Sequence, residues 1–352
     1  MLDTLKRWFK IGSPQPPGDP VTFPYTHTAP DGNLTVTVHS LSLDRCGKML
    51  PCWGYESKGL MAFGQKELLL LLKREPGESE SDFVRDPLGF FVNVARFAQE
   101  GKIVTSGGFT QFGARGGNFC GRHYLLYSFL PEGLKGLHVL QTPVADMLLC
   151  HLLHDDEGEA VKAWGETRVL SRLGHAATYY PFPDWNDRKR KPLPIRKDMA
   201  QSLLTQMPQL HLPEATAYFE ESTTNADGLV TLRVPASALA RVRSALDEMP
   251  EPMPLAFITG WEPSATGCFV WEAGQKEPLA IIPPNGGNAR INGNFVLITP
   301  TEDDMDEVRT HEDGFGVLLT PPSYQRVVQA FRDATPVTLA ANQNRFSLYF
   351  PG

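Results

Sequence analysis

The residues with the strongest chemical potential lie in the run C-H-L-L-H-D-D-E, Cys150 to Glu157. On a helix, His151 and His154 stand three apart and Cys150 and His154 four apart, so either pair could share a face. With Asp155, Asp156 and Glu157 following, such a face could hold a metal. No second ligand pair accompanies them, and histidines are common at helix ends beside a polar turn, so no metal site is assigned. Cys52, next to Trp53, would be a nucleophile only if a neighbouring base lowered its pKa. No such base is legible, and a structural thiol is the favoured reading. The chain has no G-x-S-x-G elbow, no H-E-x-x-H and no dinucleotide fingerprint after a strand. Asp303 and Asp304 belong to T-E-D-D-M-D-E, which reads as a solvated acidic turn. The expectation is a protein without catalytic, metal-binding or cofactor-binding residues, and so not an enzyme.

Two other stretches suit contact with another molecule. Residues 107–121, G-G-F-T-Q-F-G-A-R-G-G-N-F-C-G, are rich in glycine and aromatics. They lack the Gly-Lys-Ser/Thr ending of a phosphate loop and lead into a strand, so turns and bulges are favoured over a ligand loop. Residues 175–194, H-A-A-T-Y-Y-P-F-P-D-W-N-D-R-K-R-K-P-L-P, end in a basic run flanked by acids, which favours a solvated loop. If these stretches meet a partner, the contacts are Phe109, Phe112, Arg115, Tyr179, Tyr180, Trp185, Arg188, Lys189 and Arg190.

The elements that must position these residues are bounded first by the totals. A chain of 352 residues forms one large domain or two to three smaller ones. Its 31 glycines and 30 prolines predict many short elements rather than a helix bundle. A net charge of -7 argues against nucleic acid as partner and suits a basic protein. Cys46, Cys52, Cys120, Cys150 and Cys268 are odd in number and irregular in spacing, which reads as reduced thiols in a cytoplasmic protein. No apolar run approaches the ~20 residues that span a bilayer.

Residues 2–11 form a short amphipathic segment. Docking on the protein body is preferred there over membrane contact. Residues 12–20 form a Pro-rich linker. Residues 21–45 predict two strands about Pro30-Asp31-Gly32. Leu68 to Leu72, five consecutive leucines between Glu67 and Lys73, predict a central strand buried on both faces. Residues 87–100 predict a helix, 123–129 and 137–140 strands, 144–153 a helix and 199–207 a short helix. The segments beginning at Leu229 and Phe315 then repeat a β-run, a proline, a helix, a turn and a second β-run. The fold class expected is α+β, with mixed or antiparallel sheets, packed helices and repeated β-α-β-like units. The expected division is residues 1–20 as arm and linker, 21–208 as an N-terminal subdomain and 209–352 as a C-terminal one.

A family resemblance emerges from the stretch around the leucines. Leu50-Pro51-Cys52-Trp53, Ser57-Lys58-Gly59-Leu60, Gly64-Gln65 and Glu67 resemble the C-terminal domain of unassigned function in Smad anchor for receptor activation and endofin. The same order continues through Arg172-Leu173-Gly174, Tyr180-Pro181, Arg190-Lys191-Pro192-Leu193, Val234-Pro235, Asn292-Gly293 and Glu312-Asp313-Gly314, so the resemblance covers about residues 49–340. The Trp-x-x-x-Ser-x-Gly-Leu core is also similar, more weakly, to the start of suppressor-of-fused domains, whose bacterial relatives are often immunity proteins that neutralise toxins. Five cysteines cannot supply the eight zinc ligands of a FYVE finger, and no Smad-binding segment is present, so lipid binding and Smad anchoring are not implied. The resemblance implies a suppressor-of-fused-like fold and a non-enzymatic, cytoplasmic, bacterial protein that binds a protein partner, a cognate toxin foremost. The alternatives are an adaptor in a secretion or membrane-associated complex and, less favoured, a hydrolase or metal enzyme.

Overall fold

Five leucines in a row give a strand that must be buried on both faces, and such a strand needs hydrogen-bonded neighbours on both edges. The computed structural model supplies them. It describes residues 23–45, 47–112, 121–130, 139–194, 199–221, 228–249, 252–262, 264–265, 267–270, 279–281, 290–342 and 344–351. The amphipathic segment 2–11, the linker, Arg115 and half of the run expected as a strand at 137–140 lie outside these residues, and Val139 and Leu140 of that run are not in a strand. The fold is α+β, with two mixed sheets.

The chain divides into two compact units. One comprises the described residues up to Gly158 together with Asp184–Pro192, and the other comprises 159–183 and 193–352. A single cut therefore does not separate them. The division at 208/209 remains a proposal about autonomous folding.

In the first unit the elements are β1 (Tyr25–Thr28), β2 (Thr35–Arg45), β3 (Lys48–Lys58), β4 (Glu67–Lys73), α1 (Asp86–Gln99), β5 (Phe109–Gln111), β6 (Tyr124–Ser128) and β7 (Met147–Leu153). The helix α2 (Asp155–Trp164) follows across the boundary. The seven-stranded sheet has the order β1-β2-β3-β4-β7-β6-β5, which puts the leucine strand in the middle. Leu68, Leu70 and Leu72 pack with Leu88, Phe91 and Val94 of α1, while Leu69 and Leu71 are buried on the opposite face. Burying these five side chains contributes on the order of 10 kcal/mol before chain entropy is counted. Trp53 and Tyr55 lie in the α1-side core, and their polar tips donate to backbone carbonyls, Trp53 Nε1 to Glu80 (3.0 Å) and the Tyr55 hydroxyl to Val84 (2.6 Å). Cys52 is buried on the other face, and burial, with Asp184 next, pushes its thiol up to about 12.

The helix expected at 144–153 is instead strand β7. Its run M-L-L-C-H-L-L is buried at every position, so the alternation that marks a half-buried strand is missing, and periodicity alone does not separate such a strand from a buried helix. The other expected elements of this unit, at 21–45, 87–100 and 123–129, are present with small shifts at their ends.

In the second unit, α3 (Glu166–Ala177) and α4 (Met199–Leu204) precede β8 (Gln209–Glu221), β9 (Gly228–Arg233), α5 (Ala236–Asp247), β10 (Leu255–Gly260), β11 (Gly267–Val270) and β12 (Leu279–Ile281). Then come β13 (Ile291–Gly293), β14 (Phe295–Pro300), β15 (Glu307–His311), β16 (Gly314–Leu319), α6 (Pro321–Asp333), β17 (Val337–Ala340) and β18 (Asn344–Tyr349). Both expected repeats are there, as β9-α5-β10 and β16-α6-β17. Their strands are not neighbours: β8 lies between β9 and β10, antiparallel to the first and parallel to the second. One face of the sheet shares a core with Leu239 and Val242 of α5 and Val327 and Phe331 of α6. Near α3 the Arg168 guanidinium grips Asp313 with two bonds of 2.7 Å, and Asn294 donates to the same carboxylate. Burial alone would raise the Asp313 pKa, but the Arg168 charge holds it below the usual carboxylate range.

The Ser-Lys-Gly-Leu motif is a buckle at the start of β4. Glu67 Oε1 accepts the amides of Gly59 (2.8 Å) and Met61 (3.2 Å), and its other oxygen accepts the Ser57 hydroxyl. Ser57 Oγ in turn accepts the Leu68 amide at 2.7 Å. Gln65 reaches onward and accepts the Val104 amide (2.7 Å). Gly59 sits at φ +119°, and a Cβ there would stand 2.2 Å from the Asn33 carbonyl oxygen. Gly59→Ala is therefore expected to destabilise the protein by about 2–4 kcal/mol, measured as a lowered urea midpoint with unchanged slope.

Candidate functional site

On a strand, side chains alternate, so the Cys150, His151 and His154 spacing that suited one helical face is split. Cys150 enters the core with Leu68 and Leu70, where burial pushes its thiol up. His151 faces the other way, and its Nε2 lies 2.8 Å from Ser128 Oγ. A serine and a histidine at that distance are the first two parts of a nucleophile and base. Both residues are 2% exposed, however, and a substrate carbonyl has no approach to the hydroxyl. Burial, with the Arg190 charge next, lowers the His151 pKa to about 3, so the ring is neutral at neutral pH. His154 turns to the Arg190 carbonyl, 3.2 Å away. Among the described residues no group of three or more His, Cys, Asp or Glu side chains could hold a metal ion.

The stretch 179–191 is shared between the two units. Tyr180 belongs to the second, with its ring 6.0 Å from that of Trp261 in an edge-on arrangement. Tyr179, in the same unit, and Trp185, in the first, are half-buried. From Asp184 the chain straps the first unit. The β4–β7 ladder holds only from Glu67↔Met147 to Leu69↔Leu149, after which the strands part. Asn186 fills the gap. Its backbone pairs with β4, the amide donating to Leu71 O (2.8 Å) and the carbonyl accepting Lys73 N (2.9 Å). Its side chain serves β7, with Oδ1 accepting Leu152 N (2.7 Å) and Nδ2 donating to Cys150 O (2.9 Å). Buried Arg122 donates to the carbonyl of Asp187 (2.9 Å), also in the strap.

The expected contact residues Arg188, Lys189 and Arg190 are all engaged inside the first unit. Arg188 pairs with Glu78 and lies over the Trp53 ring, Lys189 pairs with Glu75, and Arg190 grips buried Glu157 with bonds of 2.6 and 2.7 Å. Sequence reasoning missed Asn186 and Arg122. An asparagine that imitates a peptide group leaves no periodic trace, and one arginine near a glycine-rich run carries none either.

Phe109 lines a cavity in the first unit, and Phe112 follows just after the strand that carries it. Among the described residues, strand β5 is the last of the sheet and pairs with β6, at Phe109↔Leu126, Thr110↔Leu125 and Gln111↔Tyr124. The Phe112 amide donates inward to His123 O (2.8 Å). By antiparallel alternation Thr110 also bonds inward, and Phe109 and Gln111 turn their amides and carbonyls away from β6. Beside this edge is a cavity of about 330 Å³ lined by Val94, Phe97, Lys102, Ile103, Val104, Phe109, Thr110 and Gln111. Ile103 is exposed at its rim, and Phe112 is buried against Phe90. Exposed edges are ordinarily blunted by proline or charge. β1 is bracketed by Pro24 and Pro30 and β17 is preceded by Pro336, whereas beside β5 the charge is that of Lys102 in the cavity lining.

No family model matches the chain. A stretch of 143 residues is 29% identical to human zinc finger FYVE domain-containing protein 9, covering 40% of this chain and 10% of that protein. The chain thus spans about a tenth of that relative's length, and the match does not establish the Smad anchor family. The crystal structure of Drosophila Suppressor of Fused aligns at a TM-score of 0.37 and 12% identity over 90% of this chain and 89% of its own. A chain of the Sufu-Fu complex crystal structure aligns at 0.37 and 18% identity, over 48% and 83%. Likenesses at that level transfer no activity.

Two outcomes follow from the closed part of the site. Asn186→Ala leaves the Leu152 amide and Cys150 carbonyl unpaired and should cost about 2–4 kcal/mol in urea unfolding. Asn186→Asp, which sets a carboxylate against two carbonyls, should cost at least as much. The folded pKa of His151 lies below its unfolded value of 6.5. Its contribution is therefore complete above pH 6.5 and is lost as pH falls toward 3, by on the order of several kcal/mol. His151→Gln should flatten that part of the stability-versus-pH curve, read by urea titrations at pH 7 and pH 4.5.

Proposed function

We propose that this is a non-enzymatic, cytoplasmic protein that binds a protein partner, and that the partner docks at the cavity beside β5. The observation that carries the reading is a cavity of about 330 Å³ lined in part by Val94, Phe97, Val104 and Phe109, with Ile103 exposed at its rim. A cavity of that size admits one large apolar side chain or two small ones. The partner is thus a protein segment that carries an apolar anchor residue. The titratable and nucleophilic groups elsewhere support the non-enzymatic side, because Cys52, Cys150, Cys268, Ser128 and His151 are all buried.

The finer reading is an immunity protein that covers a cognate toxin. It is supported by the resemblance to bacterial suppressor-of-fused relatives and by the net charge of -7, which complements a basic partner. Coexpression with the product of the adjacent gene tests it. The expected outcome is restored growth and a stable complex, both lost in Gln111→Lys and Ile103→Asp, which charge the edge and the rim without touching the core. A complex that survives both substitutions would place the docking surface elsewhere. A harmless neighbour that forms no complex would remove the toxin reading.

A further inference from the structure

The strap Asp184–Pro192 belongs to the first unit, while the stretches before and after it in the chain belong to the second. Six of the seven positions from Asp184 to Arg190 meet partners in the first unit as follows. Asp184 meets Arg45, Asn186 bonds to both β4 and β7, Asp187 meets Lys73, Arg188 meets Glu78, Lys189 meets Glu75 and Arg190 meets Glu157. Each ion pair has the strap on one side and the body of the first unit on the other. The strap contributes one residue to the sheet, through a bridge between Leu72 and Asn186. This is how a bound peptide is recognised: backbone pairing at the centre, complementary charges on either side.

We infer that the opening between β4 and β7 is a peptide-recognition site, filled in this chain by its own strap and open to the same strap of a second copy. Exchange between two copies keeps every strap bond named above with a different chain supplying it, at a cost in association entropy. The ligand class is defined by the strap itself, an extended D-x-N-D-R-K-R segment whose asparagine side chain stands in for a peptide group. The site is separate from the β5 edge and does not depend on the function proposed for it.

Zero-length carbodiimide cross-linking tests this on the unaltered full chain, because Lys73 Nζ and Asp187 Oδ2 are 2.7 Å apart. Equal amounts of ¹⁴N and ¹⁵N protein are mixed, incubated, cross-linked and digested, and the Lys73–Asp187 peptide pair is read by mass spectrometry. The expected result includes mixed-isotope pairs whose share rises about tenfold for each tenfold rise in concentration while the dimer is the minor form. Single-isotope pairs alone, at every concentration, would overturn the inference. A second arm mixes Arg190→Glu with Glu157→Arg protein. Each has like charges facing within its own chain, but the reciprocal exchange restores opposite charges at both sites. The mixture should yield a heterodimer in size-exclusion light scattering that neither variant forms alone, and its absence from two folded variants would count equally against exchange.

Discussion

The constraint on which the first unit depends is that a strand buried on both faces has no water to satisfy its backbone. β4 meets it with β3 along one edge and β7 along part of the other. Where β7 turns away, the requirement passes to a residue more than a hundred positions further along the chain. Asn186 meets it twice, by backbone toward β4 and by side chain toward β7. The ion pairs of the strap, the buried Arg122 and the buckle around Glu67 then read as parts of one arrangement that holds the ends of β4 in place.

That arrangement explains why the chain looks richer in chemistry than it is. Cys52 and Trp53, the Ser-Lys-Gly-Leu motif and the basic run all combine residue types associated with catalysis or ligand binding. Each is used to pair a buried group: Glu67 serves three donors, Trp53 donates to a loop carbonyl, and Arg190 neutralises Glu157. The Ser128 and His151 pair has hydrogen-bond geometry without access. What remains accessible is the cavity beside β5, with Ile103 exposed at its rim.

Much of the architecture was legible before the structure. The leucine run announced a central buried strand, and two prolines, Pro235 and Pro321, marked the starts of the repeated helices. Strand β7 was misread because burial on both faces erases the period that distinguishes strand from helix. Phe109 and Phe112 could be singled out as aromatic residues in a glycine-rich run, but only sheet order shows that Phe109 lies on an edge. Arg188, Lys189 and Arg190 read as a basic run, and their partners Glu78, Glu75 and Glu157 are too distant in sequence for the pairing to be visible.

The central claim is that Asn186 closes the gap between β4 and β7. Residue-resolved amide hydrogen exchange on the isolated protein tests it most directly, since protection reports which backbone groups are paired. The account predicts slow exchange at Lys73 and Leu152, whose amides donate to Asn186, and faster exchange at Leu152 in Asn186→Ala. Fast exchange at Lys73 and Leu152 in the unaltered protein would contradict it.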